Sequence, residues 1–429
     1  MIFLENVLGK TNSFWRYVVT LFGTLMEFCC DQQKNSFIIV CLFVFCRLSF
    51  AQQSLKMDEA VAIALANHPV VRHAALAEQR DVLTQRRFVE LSPIQVKYWH
   101  LNTHAGNDRL WAVTQDFGSI PEHFRQAQLS RTMINTRQAE RALTLDELAW
   151  QVKSAYMNAA YYRQRLQTMQ EHEPYFEALI HVAEIQLTCD SISELTRVSA
   201  GSRYAAYQSR MYIAGEELKR AEIRLSHLLY LPDANIEISE TELELYQIHS
   251  EKPVNERFDP VKHKALDEAY IKEAESVVKL ERSKLFPAVH AGYIHQHIEG
   301  LSGYQGWMAG LSVPLWAMPQ RTRIKQAEID VLQKINETQY RQTEVMQRVE
   351  TLKSLLNEYF VQISFSRENL LYEAKLMLEE VKKDFSAGRI VNFADTFTKM
   401  NNAVSAQLDV LEYLNLYNQT ALELEFFTQ

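Results

Sequence analysis

His295 and His297 stand two apart in a stretch of strand-like alternation, so their imidazoles share one face, a spacing that can hold a transition-metal ion. His100 and His104 occupy the corresponding end of an earlier stretch and could approach the first pair across a common rim. No cysteine and no paired carboxylate accompanies these four, and they flank the loop-like segments "NTHAGND" and "EGLSGY". They read as exposed loop histidines, and no metal ligand is assigned. Glu171 and Glu173, beside Pro174, are the acid–base candidates. With no Gly-rich loop, nucleophile motif or convergent cluster near them, they read as a solvated helix face. No catalytic or cofactor-binding residue is assigned, no cofactor is called for, and the chain is expected not to be an enzyme.

Composition narrows the alternatives. The 429 residues carry a formal charge of −8, which argues against nucleic acid as a partner held by a basic surface. Hydrophobic residues reach 47%, yet no run of about 18 apolar residues occurs after residue 51, which argues against a helical membrane protein. Residues 1–51 read as a leader. "SFIIVCLFVFC" (36–46) is a short apolar core preceded by Lys34, and Ser49 and Ala51 precede a cut before Gln52. This is the pattern of a secretory signal peptide, with a membrane-anchoring helix as the alternative. Four cysteines (29, 30, 41, 46) fall in this leader, so Cys189 has no partner for an internal disulfide.

The elements that must position any site follow from the chain breakers. Five of the 12 glycines fall between Gly292 and Gly310, and none between Gly118 and Gly201 or between Gly310 and Gly388. Such Gly-free stretches, rich in Gln, Glu, Leu, Ala and Arg, favour helix. The order of segments recurs at an offset of roughly 200 residues. "ELSPIQVKYWH" (90–100) parallels "KLFPAVHAGYIH" (284–295), "FRQAQLS" (124–130) parallels "IKQAEID" (324–330), and "LTCDSISEL" (187–195) parallels "FSAGRIVNF" (385–393). A first repeat over 52–230 then holds helices at 56–90, 121–188 and 191–230. A linker with Pro232, Pro253 and Pro260 covers 231–260. A second repeat over 261–429 holds helices at 261–284, 319–386 and 389–428. Pro121 and Pro319 each suit a first helical turn, whereas Pro174 is expected to kink its helix. A helix of about 68 residues extends about 100 Å and can pair with two shorter helices end to end. Val345, Val349, Leu352, Leu356, Tyr359, Ile363, Leu370, Ala374, Met377 and Val381 form a coiled-coil seam, widened by Leu355, Phe360, Leu371 and Leu378. On the helices alone, a long antiparallel bundle is the plainest reading.

Two predicted hairpins, 94–117 and 288–313, point elsewhere. Their strands, at 94–101, 109–117, 288–298 and 304–313, have about the length that a tilted strand needs to cross hydrocarbon. Gln305, Trp307, Ala309, Leu311 and Val313 share one face, opposite Tyr304, Gly306, Met308, Gly310 and Ser312. Trp111, Val113 and Phe117 likewise oppose Ala112, Thr114 and Asp116. A large apolar face backed by a small or polar one suits a barrel wall, with Trp99, Trp111, Trp307 and Trp316 as interfacial aromatics. A small sheet capping a bundle is the alternative. Four strands cannot close a barrel, and open edges are not viable in lipid. The expected fold is therefore mainly α with a small β part: a duplicated unit of long coiled-coil helices plus two β-hairpins, contributing four strands to a trimeric 12-stranded barrel.

Three stretches carry a family resemblance: "SLKMDEAVAIALANHPVVRHA" (54–74), "GLSVPLW" (310–316) and "FSAGRIVNFADTFTKMNNAVSAQLDVLEYLNLYNQ" (385–419). With the leader and the duplication, the chain resembles the TolC-type outer-membrane efflux channels over nearly all its length after the leader. "LDVLEYLNLYNQTALELE" (408–425) is most similar to the branch that serves heavy-metal resistance-nodulation-division (RND) pumps. The resemblance implies a homotrimer in outer-membrane lipid, continuous with a helical tunnel through the periplasm. It implies a passive duct that docks on a periplasmic adaptor protein and an inner-membrane RND-type pump. It also implies that the turns after the long helices form a tip narrowed by charged and polar side chains. The gate or docking candidates are Asp190, Ser193, Glu194 and Arg197 in one turn, and Gly388, Arg389, Asn392 and Asp395 in the other. The acidic positions of the family, six residues past the turn glycine, hold Thr196 and Ala394 here. Helix capping by Ser191 or Ser193 with Glu194 is the plainer reading of the same residues. A periplasmic adaptor or coiled-coil scaffold protein is the alternative function; the duplicated unit of hairpin and strands speaks against it.

Overall fold

The computed structural model describes residues 54–86, 91–103, 106–189, 191–231, 237–239, 242–248, 260–298, 301–314, 317–387 and 393–428. The leader expected at 1–51 and most of the linker expected at 231–260 lie outside these residues.

Four strands form one antiparallel sheet in chain order: β1 (Gln95–Thr103), β2 (Gly106–Gly118), β3 (Ala288–Ile298) and β4 (Leu301–Ser312). The hairpins join through β2 and β3, with Trp111 opposite His295 and Val113 opposite Tyr293. Pairing runs further into "NTHAGND" than the expected 94–101 and 109–117, because ladder bonds are made by the backbone and tolerate polar side chains. One face presents Trp111, Val113, Trp307 and Leu311 to the exterior, while Ala112 on the other is buried. Trp99 departs from expectation. It pairs with Leu110, one step out of phase with Trp111, and so stands on the opposite face from Trp111 and Trp307. Trp316 lies outside the described residues.

The register slips between Asp116 and Gly118. There Gly118 adopts φ 67° and donates its N–H to Asp116 Oδ1 at 2.8 Å. His123 Nε2, from the following helix, donates to the Phe117 carbonyl at 2.7 Å. A side chain at Gly118 would meet both a strained backbone conformation and this imidazole. The bulge thus ends the strand and aims the chain into the long helix.

The helices are α1 (Met57–Asn67), α2 (Pro69–Arg86), α3 (Ile120–Thr188), α4 (Glu194–Leu228), α5 (Val261–Ser283), α6 (Met318–Phe365), α7 (Leu371–Ser386) and α8 (Phe393–Thr428), with a π-helical turn at Ser366–Leu370 between α6 and α7. The single helix expected at 56–90 is two. Pro69 forces His68 into an extended conformation (ψ 131°), as proline does to the residue before it. The expected 319–386 helix is likewise interrupted. Its buried stripe runs through Val345, Val349, Leu352 and Ile363, then Ser366, and resumes at Ala374, Leu378 and Val381. The π turn adds a residue to that step, so Leu370 turns outward instead of joining the seam. Phe360 is exposed as well. Pro174 does not end α3, which continues through it.

Near the sheet, α2 packs on α3, α3 on α5 and α5 on α6; farther along, α4 packs on α3, α3 on α8, and α8 on α6 and α7. The helices therefore keep the lateral order of the strands they join. α3, α5 and α8 are inner lanes, and α2, α4, α6 and α7 are edges. Residues 242–248 cross α3 and α8 as a strap. Leu243 N–H donates to Gln164 Oε1 at 2.8 Å. The fully buried Asn418 accepts from Tyr246 N–H and donates to the Glu244 carbonyl, both at 2.8 Å. No helix among the described residues is long and apolar enough to cross a membrane.

Candidate functional site

The turn between α3 and α4 holds three of the tip candidates. Ser193, not Ser191, caps α4: its Oγ accepts from Thr196 N–H at 3.2 Å and lies 2.9 Å from the Thr196 hydroxyl. Glu194 and Arg197, one turn apart, pair at 2.6 Å. The Arg197 hydrogen bond holds the Glu194 carboxyl below the usual carboxylate range. In the other turn, Asp395 meets Lys399 at 3.1 Å. Each acidic group is thus matched by a cation on its own helix. Asp190, Gly388, Arg389 and Asn392 lie outside the described residues.

A cleft between α4 and α8 continues from these turns. It is lined by Arg203, Tyr207, Arg210, Asn401, Asp409 and Glu412. Arg203 donates to Thr398 Oγ1 at 3.0 Å and lies over the Phe397 ring at 5.7 Å. Tyr207 closes the floor by donating its hydroxyl to the Met169 carbonyl at 2.7 Å. Burial pushes the Tyr207 hydroxyl and the Asp409 carboxyl upward in pKa. These charges and amides can engage a polar helical partner. Sequence reasoning passed over them, although Arg203, Tyr207 and Arg210 follow a four-and-three spacing that places them on one face of α4.

The sheet offers a wall rather than a reaction centre. His295 and His297 share the exterior face with His100, but Arg109 lies between His100 and His297 in the register. Two strand spacings, about 10 Å, separate those imidazoles, too far to share one ion, and His104 lies outside the described residues. No group of three or more potential metal ligands converges among the described residues. On the opposite face, the His290 ring covers Gly310 so closely that no Cβ would fit.

Among the described residues, both flanks of this array lack a further neighbour. β1 and β4 each have one neighbour. Leu76 and Leu83 on α2, Tyr212 and Ile223 on α4, and Leu332, Tyr340, Phe360 and Tyr372 on α6 and α7 are exposed, whereas α8 exposes no large hydrophobic side chain among its described residues.

The fold matches solved outer-membrane channels. CusC superposes with a TM-score of 0.73 at 14% identity, over 87% of this chain and 91% of that one. The CmeC outer membrane channel of Campylobacter jejuni gives 0.71 at 9% identity, over 87% and 85%. The open MtrE outer membrane channel of Neisseria gonorrhoeae gives 0.67 at 13% identity, over 87% and 88%. No protein-family model and no curated protein sequence matches the chain. At these identities the common property is the fold.

Proposed function

We propose that this chain, which has the TolC-type channel fold, is the passive outer-membrane exit duct of a tripartite efflux system and has no catalytic role. The observation that carries the reading is the pair of open flanks, in the strands and the helices alike. Within the antiparallel sheet β1 and β4 run in opposite directions, so β4 of one copy can continue antiparallel into β1 of the next. Three copies supply twelve strands and remove every edge, as hydrocarbon demands. The same closure buries the apolar side chains on α2, α4, α6 and α7. In this reading two repeats, 52–230 and 261–429, are joined by a linker at 231–260, with the strands in outer-membrane lipid and the helices in the periplasm.

The tip candidates Asp190, Ser193, Glu194, Arg197, Gly388, Arg389, Asn392 and Asp395 then face a periplasmic adaptor and an inner-membrane RND-type pump. Local pairing of Glu194 and Asp395 makes their ring only weakly acidic. The C-terminal sequence, through the resemblance of residues 408–425, favours the heavy-metal branch of these pumps. The alternative, a periplasmic adaptor, is disfavoured by the exterior face of Trp111, Trp307 and Leu311, for which a soluble protein has no use.

Membrane fractionation tests the assignment. The expected product is an outer-membrane oligomer that resists SDS and dissociates on heating, with single-channel conductance in planar bilayers. A soluble monomer without conductance sinks it. Replacing Asp190 and Arg389 with Ala should alter conductance or adaptor binding; no effect in either assay reduces these residues to caps.

A further inference from the structure

At the end of the sheet farthest from the helices, three nitrogen-bearing side chains stand in a row on the exterior face. His100 is opposite Arg109, and Arg109 is opposite His297. His295 lies one level nearer the helices, beside Trp111 and Gln305. At that level Tyr98 packs on Trp111 at 4.6 Å, and at the next Tyr293 packs on Trp307 at 5.2 Å. The row therefore sits just outside a double aromatic girdle. Arg109 is exposed and has no ion-pair partner among the described residues. No acidic side chain shares its face in the paired strands. Its neighbour Asp108, opposite Leu101, points to the other side.

The depth of the row matches a headgroup layer. From Val289 to His297 the strand covers about 26 Å. At the usual strand tilt this is about 20 Å along the membrane normal, and Val313, exposed just past β4, extends the apolar band toward the roughly 25 Å of hydrocarbon that such barrels cross. A guanidinium in hydrocarbon would be costly, whereas at a phosphate layer it gains a charge-assisted, two-pronged contact. Resting on the outer-membrane assignment above, we propose that Arg109, flanked by His100 and His297, holds the phosphate of an outer-leaflet glycolipid headgroup against the barrel. The imidazoles supply further N–H donors on either side of the guanidinium. Because β1 is a flank strand, the lipid lies beside the junction between copies and stabilises it.

The test uses the full-length oligomer with bis-phosphorylated lipid A, its dephosphorylated form, or inorganic phosphate. Bound lipid is counted by native mass spectrometry, and oligomer stability is read as the dissociation temperature in SDS. Lipid A should bind and raise that temperature; the other two probes should not. R109Q should insert and conduct like the wild type, yet bind lipid A about fivefold more weakly, with R109K intermediate. Equal binding of the phosphorylated and dephosphorylated lipids overturns the inference, as does unaltered binding by R109Q. Stabilisation by inorganic phosphate alone replaces the lipid with a free anion and also overturns it. If R109Q does not insert, R109K decides by the same count, and wild-type affinity in R109K is fatal. If the wild type also fails to insert or conduct, the channel assignment falls and this inference with it.

Discussion

The two long helices span equal lengths of chain in unequal surroundings. α3 runs 69 residues without interruption, and α6, the π turn and α7 together cover the same span. α3 is an inner lane with helices on both sides; α6 and α7 form an edge. α3 contains Pro174, which strips the Gln170 carbonyl of its helical donor, yet the helix persists because neighbours clamp it there. His172 Nε2 donates to Gln407 Oε1 at 2.9 Å, and Tyr207 holds the Met169 carbonyl. Phe176 is fully buried against Tyr207 at 4.2 Å and Phe397 at 5.0 Å. The edge helix contains no proline past its first turn, yet it is the one that departs from α geometry. Tertiary contact decides which irregularity is absorbed.

The sharpest way to break this contrast is a pair of truncations. Phe176→Ala should cost about 3–5 kcal/mol in urea unfolding. Phe360→Ala should leave monomer unfolding within about 0.5 kcal/mol and lower the oligomer's dissociation temperature instead. Equal costs in the monomer would erase the distinction between lane and edge. Pro174→Ala comes next and should stabilise by about 1–3 kcal/mol, because it restores a helical N–H. A loss would mean that the clamping side chains depend on the proline's shape. Tyr207→Phe should cost about 1 kcal/mol, the net worth of one hydrogen bond, measured in the same melts.

The smallest effect expected is linked to pH at another inner contact, between α5 and α8. His263 stacks on Phe427 at 5.5 Å and meets Phe426 edge-on at 5.7 Å. Burial lowers its pKa; Asp267 and Asp146 oppose that shift and Arg341 adds to it. A depressed folded value means that its contribution is complete above the ordinary histidine pKa of about 6.5 and is lost as pH falls through the folded value. Melting temperature should drop as pH falls below about 6.5, and His263→Phe should flatten that slope. An unchanged slope removes His263 from the account.

Much of this architecture was legible because its signals are local. The Gly-free runs located α3 and the α6–α7 span to within a residue, and β3 lies where alternation put it. What escaped depends on relations between segments. Whether Trp99 sides with Trp111 is set by the hairpin register, which neither strand contains by itself. The π turn hid in a seam whose step of seven, Ile363 to Leu370, fits an uninterrupted heptad. Pro69 was plain in the sequence, but the apolar pattern on both sides suggested one helix. Arg203 and Arg210 drew no reading from the sequence, because only α8, standing across from them, gives them a role.

The bare strands at the two flanks have a consequence for stoichiometry. Because they run in opposite directions, backbone pairing welcomes another copy on either side indefinitely, and an arc of three is no better bonded than an arc of four. The angle each copy sweeps follows from its whole wall, from the twist and stagger of the strands together with the bulk of the helices at the flanks. Bulk added at Tyr340, exposed on that flank, would then change how many copies complete the circle, whereas bulk removed at Phe360 would only loosen it.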